Sequence, residues 1–229
     1  MSGNSGQAVT VIQARDRRLL SEVAAMRIID HVRNSGGKIT SFRSYCGGLP
    51  APEANTNPYG YKFSWSPRGV VLAARNSAKY LEDGKLVEIP GQDLFGTFHL
   101  VKLDELPMPL EAYPNRDSLI YMDLYGLQKV RTMYRGTLRY EGHCVTWKKL
   151  ADIGYFNIDV LEDLKGYTYR KFTARLAGLP DDSNLEKAVA KKFSLPSSPD
   201  VRAKGQWLGL FDAKKPLPSD TGSPLEFLV

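Results

Sequence analysis

The hydrophobic pattern changes period near residue 155, and that change constrains the fold more than any other feature. Upstream, Lys38–Cys46 and Thr132–Tyr140 place side chains on alternate sides, as strands do. Tyr80–Pro90 reads as two short strands around Asp83-Gly84, a strong hairpin turn. Downstream, Val160–Leu164, Tyr169–Leu176 and Leu185–Phe193 carry helical spacing with no strong strand signal between them. A chain divided in this way is α+β. It predicts a part built of strands and helices, and then a small all-helical subdomain at residues 156–211. With 229 residues, 42% of them hydrophobic, the chain can bury a core of that kind.

Local signals place the other elements. Leu20, Val23, Met26, Ile29 and Val32 form an apolar stripe on a helix over 19–34, which Gly36-Gly37 stops. Ser66-Pro67 opens a helix, with Ser66 as N-cap, that should run to about Ala78. Residues 94–114 are ambiguous, because Pro107 and Pro109 break strand-like pieces. Asp117 can cap a helix reaching about Tyr125, and Val145–Ile153 reads as another. Ser183 and Glu186 spell a capping box, and Pro196–Lys204 a surface loop. Ser223-Pro224-Leu225-Glu226 spells a second capping box three residues from the last residue, Val229. A helix so short does not sustain itself. This predicts either a chain that is partial relative to a parent fold or an apolar tail docked on the core.

Several function classes fall away. The net charge is +6, but the 31 basic residues are scattered and form no long basic run, so no nucleic-acid partner is predicted. No apolar run is long enough to cross a membrane. Cys46 and Cys144 are far apart and the three histidines are dispersed, so neither a disulfide framework nor a metal site is indicated. A reducing, cytoplasmic location follows by default. The polar arm at residues 1–23 leaves a mitochondrial presequence open, although Asp16 and Glu22 argue against it. There is no GxGxxG and no GxxxxGK[ST], hence no Rossmann domain and no cofactor-binding residues in this chain.

Two segments could carry binding chemistry. Arg68 lies in the first turn of its helix, where a cation opposes the macrodipole unless an anion is bound. With the free amides it could hold a carboxylate; it could equally be an exposed surface arginine. Asn115-Arg116-Asp117 precedes a strand on which Arg135, Thr137 and Arg139 share a face. That constellation could bind a dicarboxylate or form a solvated sheet face.

Four motifs in order carry a resemblance. They are Ser44-Tyr45-Cys46-Gly47-Gly48-Leu49-Pro50-Ala51-Pro52-Glu53, Tyr61-Lys62-Phe63-Ser64-Trp65-Ser66, Ala112-Tyr113-Pro114-Asn115-Arg116-Asp117-Ser118 and Arg135-Gly136-Thr137-Leu138-Arg139-Tyr140. Together they resemble the saccharopine dehydrogenase family, closest to its glutamate-forming type, from about residue 24 to the C-terminus. The resemblance implies oxidoreductase chemistry of lysine metabolism: interconversion of saccharopine with L-glutamate and 2-aminoadipate 6-semialdehyde, using NADP(H) or NAD(H). It implies a mixed α/β fold in which residues 24–155 are the first part of the substrate-binding domain, a partial mixed sheet with helices packed on it, and 156–211 its helical insertion. Residues 212–229 would be a linker and the start of the domain's returning part, and residues 1–23 do not match. It carries substrate contact onto Arg68 and makes Asn115, Arg116, Arg135 and Arg139 substrate-binding or architectural residues. A chain of this kind would be inactive alone, its partners being the small-molecule substrate and a second copy or a complementary chain with a Rossmann domain. The alternative is a non-catalytic carboxylate-binding or subunit-interaction module. Gly142-His143-Cys144-Val145-Thr146-Trp147 departs from the family's pattern, which leaves the roles of His143 and Cys144 open.

Overall fold

One long central strand organises a six-stranded sheet. The computed structural model describes residues 19–63, 66–73, 75–104, 106–181, 183–195 and 199–228. In chain order the elements are α1 (Leu19–Asn34), β1 (Ser41–Cys46), α2 (Pro67–Ala73), β2 (Ala78–Glu82), β3 (Lys85–Ile89), β4 (His99–Val101), β5 (Leu110–Pro114), α3 (Ile120–Leu124), β6 (Thr132–Tyr140), α4 (His143–Ile153), α5 (Tyr169–Ala177), α6 (Leu185–Lys192), α7 (Pro199–Trp207) and α8 (Pro224–Leu228). Short 3-10 segments cover Pro52–Ala54 and Gly91–Gly96. The central strand is β6. It takes β1 in parallel along Thr132–Thr137, β5 antiparallel along Gly136–Tyr140, and β2 at Met133. The order β3-β2-β6-β5-β4, with β1 also on β6, makes the sheet mixed, and the chain is α+β as its periodicity predicts.

The hairpin turn is as read: Asp83 and Gly84 both adopt positive φ, 49° and 82°, which suits the twist of the two strands. The ambiguous stretch resolves into the second 3-10 segment, β4 and β5. Pro107 lies between the two strands and Pro114 ends the second.

Several expectations need correction. The helix opened by Ser66 ends at Ala73, because Ala78 already pairs with Ile89 in the sheet. Residues 160–164 are not helical; Leu161 forms an antiparallel bridge with Gly222. Within the stretch read as a surface loop, Pro199–Lys204 is helical and belongs to α7, while residues 196–198 lie outside the described residues. Residues 1–18 of the expected arm also lie outside them, and Leu19–Val23 already belong to α1.

The two capping boxes part company. At Ser223 the box forms: the Glu226 carboxylate accepts from the Ser223 amide at 2.9 Å and from its hydroxyl at 3.0 Å. At Ser183 it does not; Asn184 holds the N-cap position, without a side-chain cap bond.

The largest apolar cluster crosses the division at 155. Tyr59, Val71, Phe95 and Trp147 pack into the same core as Phe172, Leu185, Val189 and Phe227. The short α8 is therefore docked: Leu225 is fully buried and the Phe227 ring meets Phe172 edge-on at 5.2 Å. A second cluster lies where α1, α3 and the sheet meet, around Ile29, Leu127, Val130 and Met133.

Candidate functional site

Arg68 lies in the first turn of α2, as its sequence places it. The Ser66 hydroxyl accepts the Gly69 amide at 3.2 Å and fixes the start of that turn. The Arg68 side chain is exposed and forms no ion pair within 4 Å among the described residues. Glu226 of the α8 capping box is its charged neighbour. The Glu226 carboxyl is held below its ordinary range chiefly by the Ser223 amide, then by the Ser223 hydroxyl, with Arg68 adding a smaller pull. The guanidinium is free to take a carboxylate from solution.

Asn115 and Arg135 come together. They line one small cavity of about 40 Å³ with Ser44, Cys46, Tyr125 and Gly136, against Ala25 of α1. Strand register explains the meeting, since Ser44 of β1 is the direct partner of Arg135 of β6. The loop after β5 wraps Arg135 at the main chain. The Asn115 amide donates to the Arg135 carbonyl at 2.8 Å, and the Arg135 amide donates to the buried Ser118 hydroxyl at 3.0 Å. Asp117 accepts the Leu119 amide at 2.7 Å and so starts the turn into α3, rather than capping the helix itself. The Arg135 guanidinium lies 3.8 Å from the Tyr121 ring centroid.

Arg116 and Arg139 do not join this cavity. Arg116 is exposed, and its φ of 50° is the left-handed turn that brings its carbonyl to the Lys79 amide at 2.9 Å. Arg139 shares a strand face with Arg135 but lies over the Tyr61 ring at 4.8 Å, beside the start of α4. The predicted constellation therefore splits in two.

The Arg139 side holds the unusual His143 and Cys144. Both begin α4 and both are buried. The His143 ring stacks on Trp147 at 5.0 Å. Burial, then the nearby Arg139 and Lys204 charges, push its pKa well below the ordinary value. Burial, then Glu111, push the Cys144 thiol up. Glu111 of β5 is 2% exposed and accepts the Gly142 and Cys144 amides at 2.7 Å each. These residues are packing and capping groups. Among the described residues no group of three or more His, Cys, Asp or Glu side chains could hold a metal.

Sequence reasoning missed Ser44, Cys46 and Tyr121. The alternation of β1 put Ser44 and Cys46 on one face, but only the register with β6 shows which neighbour that face meets.

Among the described residues, none of the glycine-rich turns offers a nicotinamide dinucleotide its cradle. The Gly47-Gly48 pair after β1 leads into a loop and a 3-10 segment, whereas the dinucleotide cradle needs a glycine-rich turn opening directly into a helix.

Comparison with known proteins gives a consistent picture. Residues 20–228 match the family model described as saccharopine dehydrogenase C-terminal domain. The saccharopine dehydrogenase [NADP(+), L-glutamate-forming] of Schizosaccharomyces pombe is 40% identical over 223 residues, covering 91% of this chain and 48% of that protein. The Saccharomyces cerevisiae enzyme of the same name is 41% identical over 202 residues, covering 85% of this chain and 45% of its own. The mitochondrial alpha-aminoadipic semialdehyde synthase of Rattus norvegicus is 36% identical over 197 residues, 21% of its length. The solved apo structure of the S. cerevisiae enzyme superposes with a TM-score of 0.76 at 38% identity, covering 90% of this chain and 47% of that one. The chain spans about half the length of the two yeast dehydrogenases.

Proposed function

This chain belongs to the saccharopine dehydrogenase C-terminal domain family, and from that premise we propose that it supplies the substrate-binding side of a glutamate-forming saccharopine dehydrogenase. The family match over residues 20–228, with an unpaired exposed arginine in the first turn of α2, carries this reading. The relatives act in lysine metabolism, and the yeast enzymes are named for NADP(+). In this reading residues 24–155 begin the substrate domain, 156–211 form its helical insertion and 212–229 lead into its returning part. Arg68 binds a substrate carboxylate, because an exposed guanidinium with no acid within 4 Å among the described residues is matched to one.

The dinucleotide is held by residues outside this chain, on a complementary chain or the remainder of a longer one. No hydride step is assigned to the residues here. A cytoplasmic setting is part of the proposal. No helix among the described residues is long and apolar enough to cross a membrane.

Two measurements test it. Purified chain mixed with NADPH, L-glutamate and the semialdehyde should leave the NADPH absorbance unchanged; steady turnover would overturn the assignment. Calorimetric titration with saccharopine should show binding that Arg68→Ala weakens about tenfold or more, the worth of a charge-assisted contact. Equal affinity in both proteins would remove Arg68 from the site.

A further inference from the structure

The cavity between β1, β6 and α1 has a composition that the proposed role of Arg68 does not use. Its lining includes Tyr125 and four residues with further polar side-chain groups, the Ser44 hydroxyl, the Cys46 thiol, the Asn115 carboxamide and the Arg135 guanidinium. Among the described residues, none of these four groups makes a hydrogen bond or ion pair to the protein. The guanidinium is half-buried, and its only described side-chain partner is the Tyr121 ring, a contact that covers its face and leaves its N–H edge free. Half-burying a cation with no acid beside it is unfavourable until an anion arrives.

Among the described residues, no carboxylate lines the cavity. The site is also built into the main chain. Both backbone groups of Arg135 are fixed, by Asn115 and by the buried Ser118, so the guanidinium starts from a set position. Arg116 pays a left-handed backbone to make the turn that holds Asn115 there.

We propose that this cavity is a carboxylate-binding site, separate from Arg68. A planar carboxylate suits a guanidinium edge in two parallel hydrogen bonds, leaving Ser44 and Asn115 to donate to the same oxygens. The volume, about 40 Å³, admits one carboxylate head and little more. The ligand is thus the carboxylate end of a small acid or amino acid, and the rest of it must lie outside the cavity. Neither Arg68 nor its charged neighbour Glu226 lines the cavity.

Cys46 reports on occupancy, because it is exposed and lines the cavity while Cys144 is buried. The full chain is alkylated with neutral iodoacetamide in the presence of acetate, L-glutamate or acetamide, and labelling at Cys46 is timed by mass spectrometry. Acetate and L-glutamate should slow the reaction about fivefold or more once the site is mostly filled, whereas acetamide, of the same shape without the charge, should not. Arg135→Gln should abolish the protection and Ser44→Ala should weaken it severalfold. Cys144 remaining unlabelled shows that each variant is folded. Equal effects of acetate and acetamide, no protection by either acid, or protection that survives in folded Arg135→Gln would overturn the proposal. The measurement uses neither cofactor nor Arg68, so its failure and that of the proposed reaction are distinguishable.

Discussion

Replacing Glu111 should destabilise this protein more than removing any surface acid, and the reason is where its two oxygens point. Helix α4 begins at Gly142, whose φ of 82° sets the turn but which has no side chain to cap the helix. The cap comes from β5 instead: one Glu111 oxygen takes the Gly142 amide and the other the Cys144 amide. A hydrogen bond to a charged group contributes roughly 1.5–3 kcal/mol, and an orphaned buried donor costs about 1–3 kcal/mol. Favourable interaction with the helix N-terminus adds up to about 2 kcal/mol in a partly buried site. These terms overlap. Counting only two stranded amides and part of the dipole gives a loss of about 3–5 kcal/mol for Glu111→Ala. Glu111→Gln keeps one acceptor but turns an N–H toward the other amide, so about half of that loss is expected. The contrast is Glu82, whose pair with Arg43 is about a third exposed on both sides; Glu82→Ala should cost under about 1 kcal/mol. Urea unfolding followed by circular dichroism and by the fluorescence of Trp147 on α4 measures all three. A Glu111→Ala shift below about 1 kcal/mol, or one no larger than that of Glu82→Ala, would refute the reasoning.

Three further outcomes are expected. His143 is buried neutral with its pKa lowered, so the unfolded chain binds a proton that the folded one refuses. Stability should therefore be intact above about pH 6.5 and fall below it, at a slope approaching 1.4 kcal/mol per pH unit. His143→Gln should flatten that slope between about pH 6.5 and 5 when the melt is repeated across the range; an unchanged slope would place the proton elsewhere. In the unliganded native protein a thiol reagent should modify Cys46 rapidly and Cys144 only on unfolding, because Cys144 is fully buried and its thiol is pushed up. Two fast thiols would contradict the placement of α4. A Cβ on Gly91 would meet the Arg75 carbonyl oxygen at 1.9 Å, so Gly91→Ala must move main chain and should cost about 2 kcal/mol or more in the same urea assay. A neutral substitution there would be inconsistent with the close approach of the 3-10 segment to the end of α2.

The proposals for Arg68 and for the β1–β6 cavity are complementary in chemistry. Saccharopine and L-glutamate present more than one carboxylate, and Arg68 and Arg135, in different surroundings, each lack an acid within ion-pair distance among the described residues. The Arg68 site is open to solvent and can meet residues that lie outside the chain. The Arg135 site is a partly enclosed recess whose lining is set by strand register. An open cation suits a substrate that must also reach a cofactor, and a recessed one suits a group that is only held.

The sequence revealed those parts whose signal is local. The hairpin at Asp83-Gly84, the stop at Gly36-Gly37 and the box at Ser223–Glu226 each need only neighbours along the chain, and each forms. The box at Ser183 is spelled with the same end residues, Ser and Glu, and does not form, so the spelling is permissive and packing decides. Leu225 and Phe227 supply that packing for the box at Ser223. The end of α2, the bridge at Leu161 and the helix at Pro199 were illegible because a partner distant in sequence sets each, or because no periodic stripe marks it. The site divides the same way. Alternation along β6 puts Arg135 and Arg139 on one face, and a reading from spacing alone treats them as one cluster. Each is then claimed by what lies across from it: Arg135 by Ser44 and Asn115, and Arg139 by Tyr61 and the buried start of α4. Two arginines on one strand face thus come to different surroundings through partners about 20 to 90 residues away along the chain, and no window of local sequence contains that information.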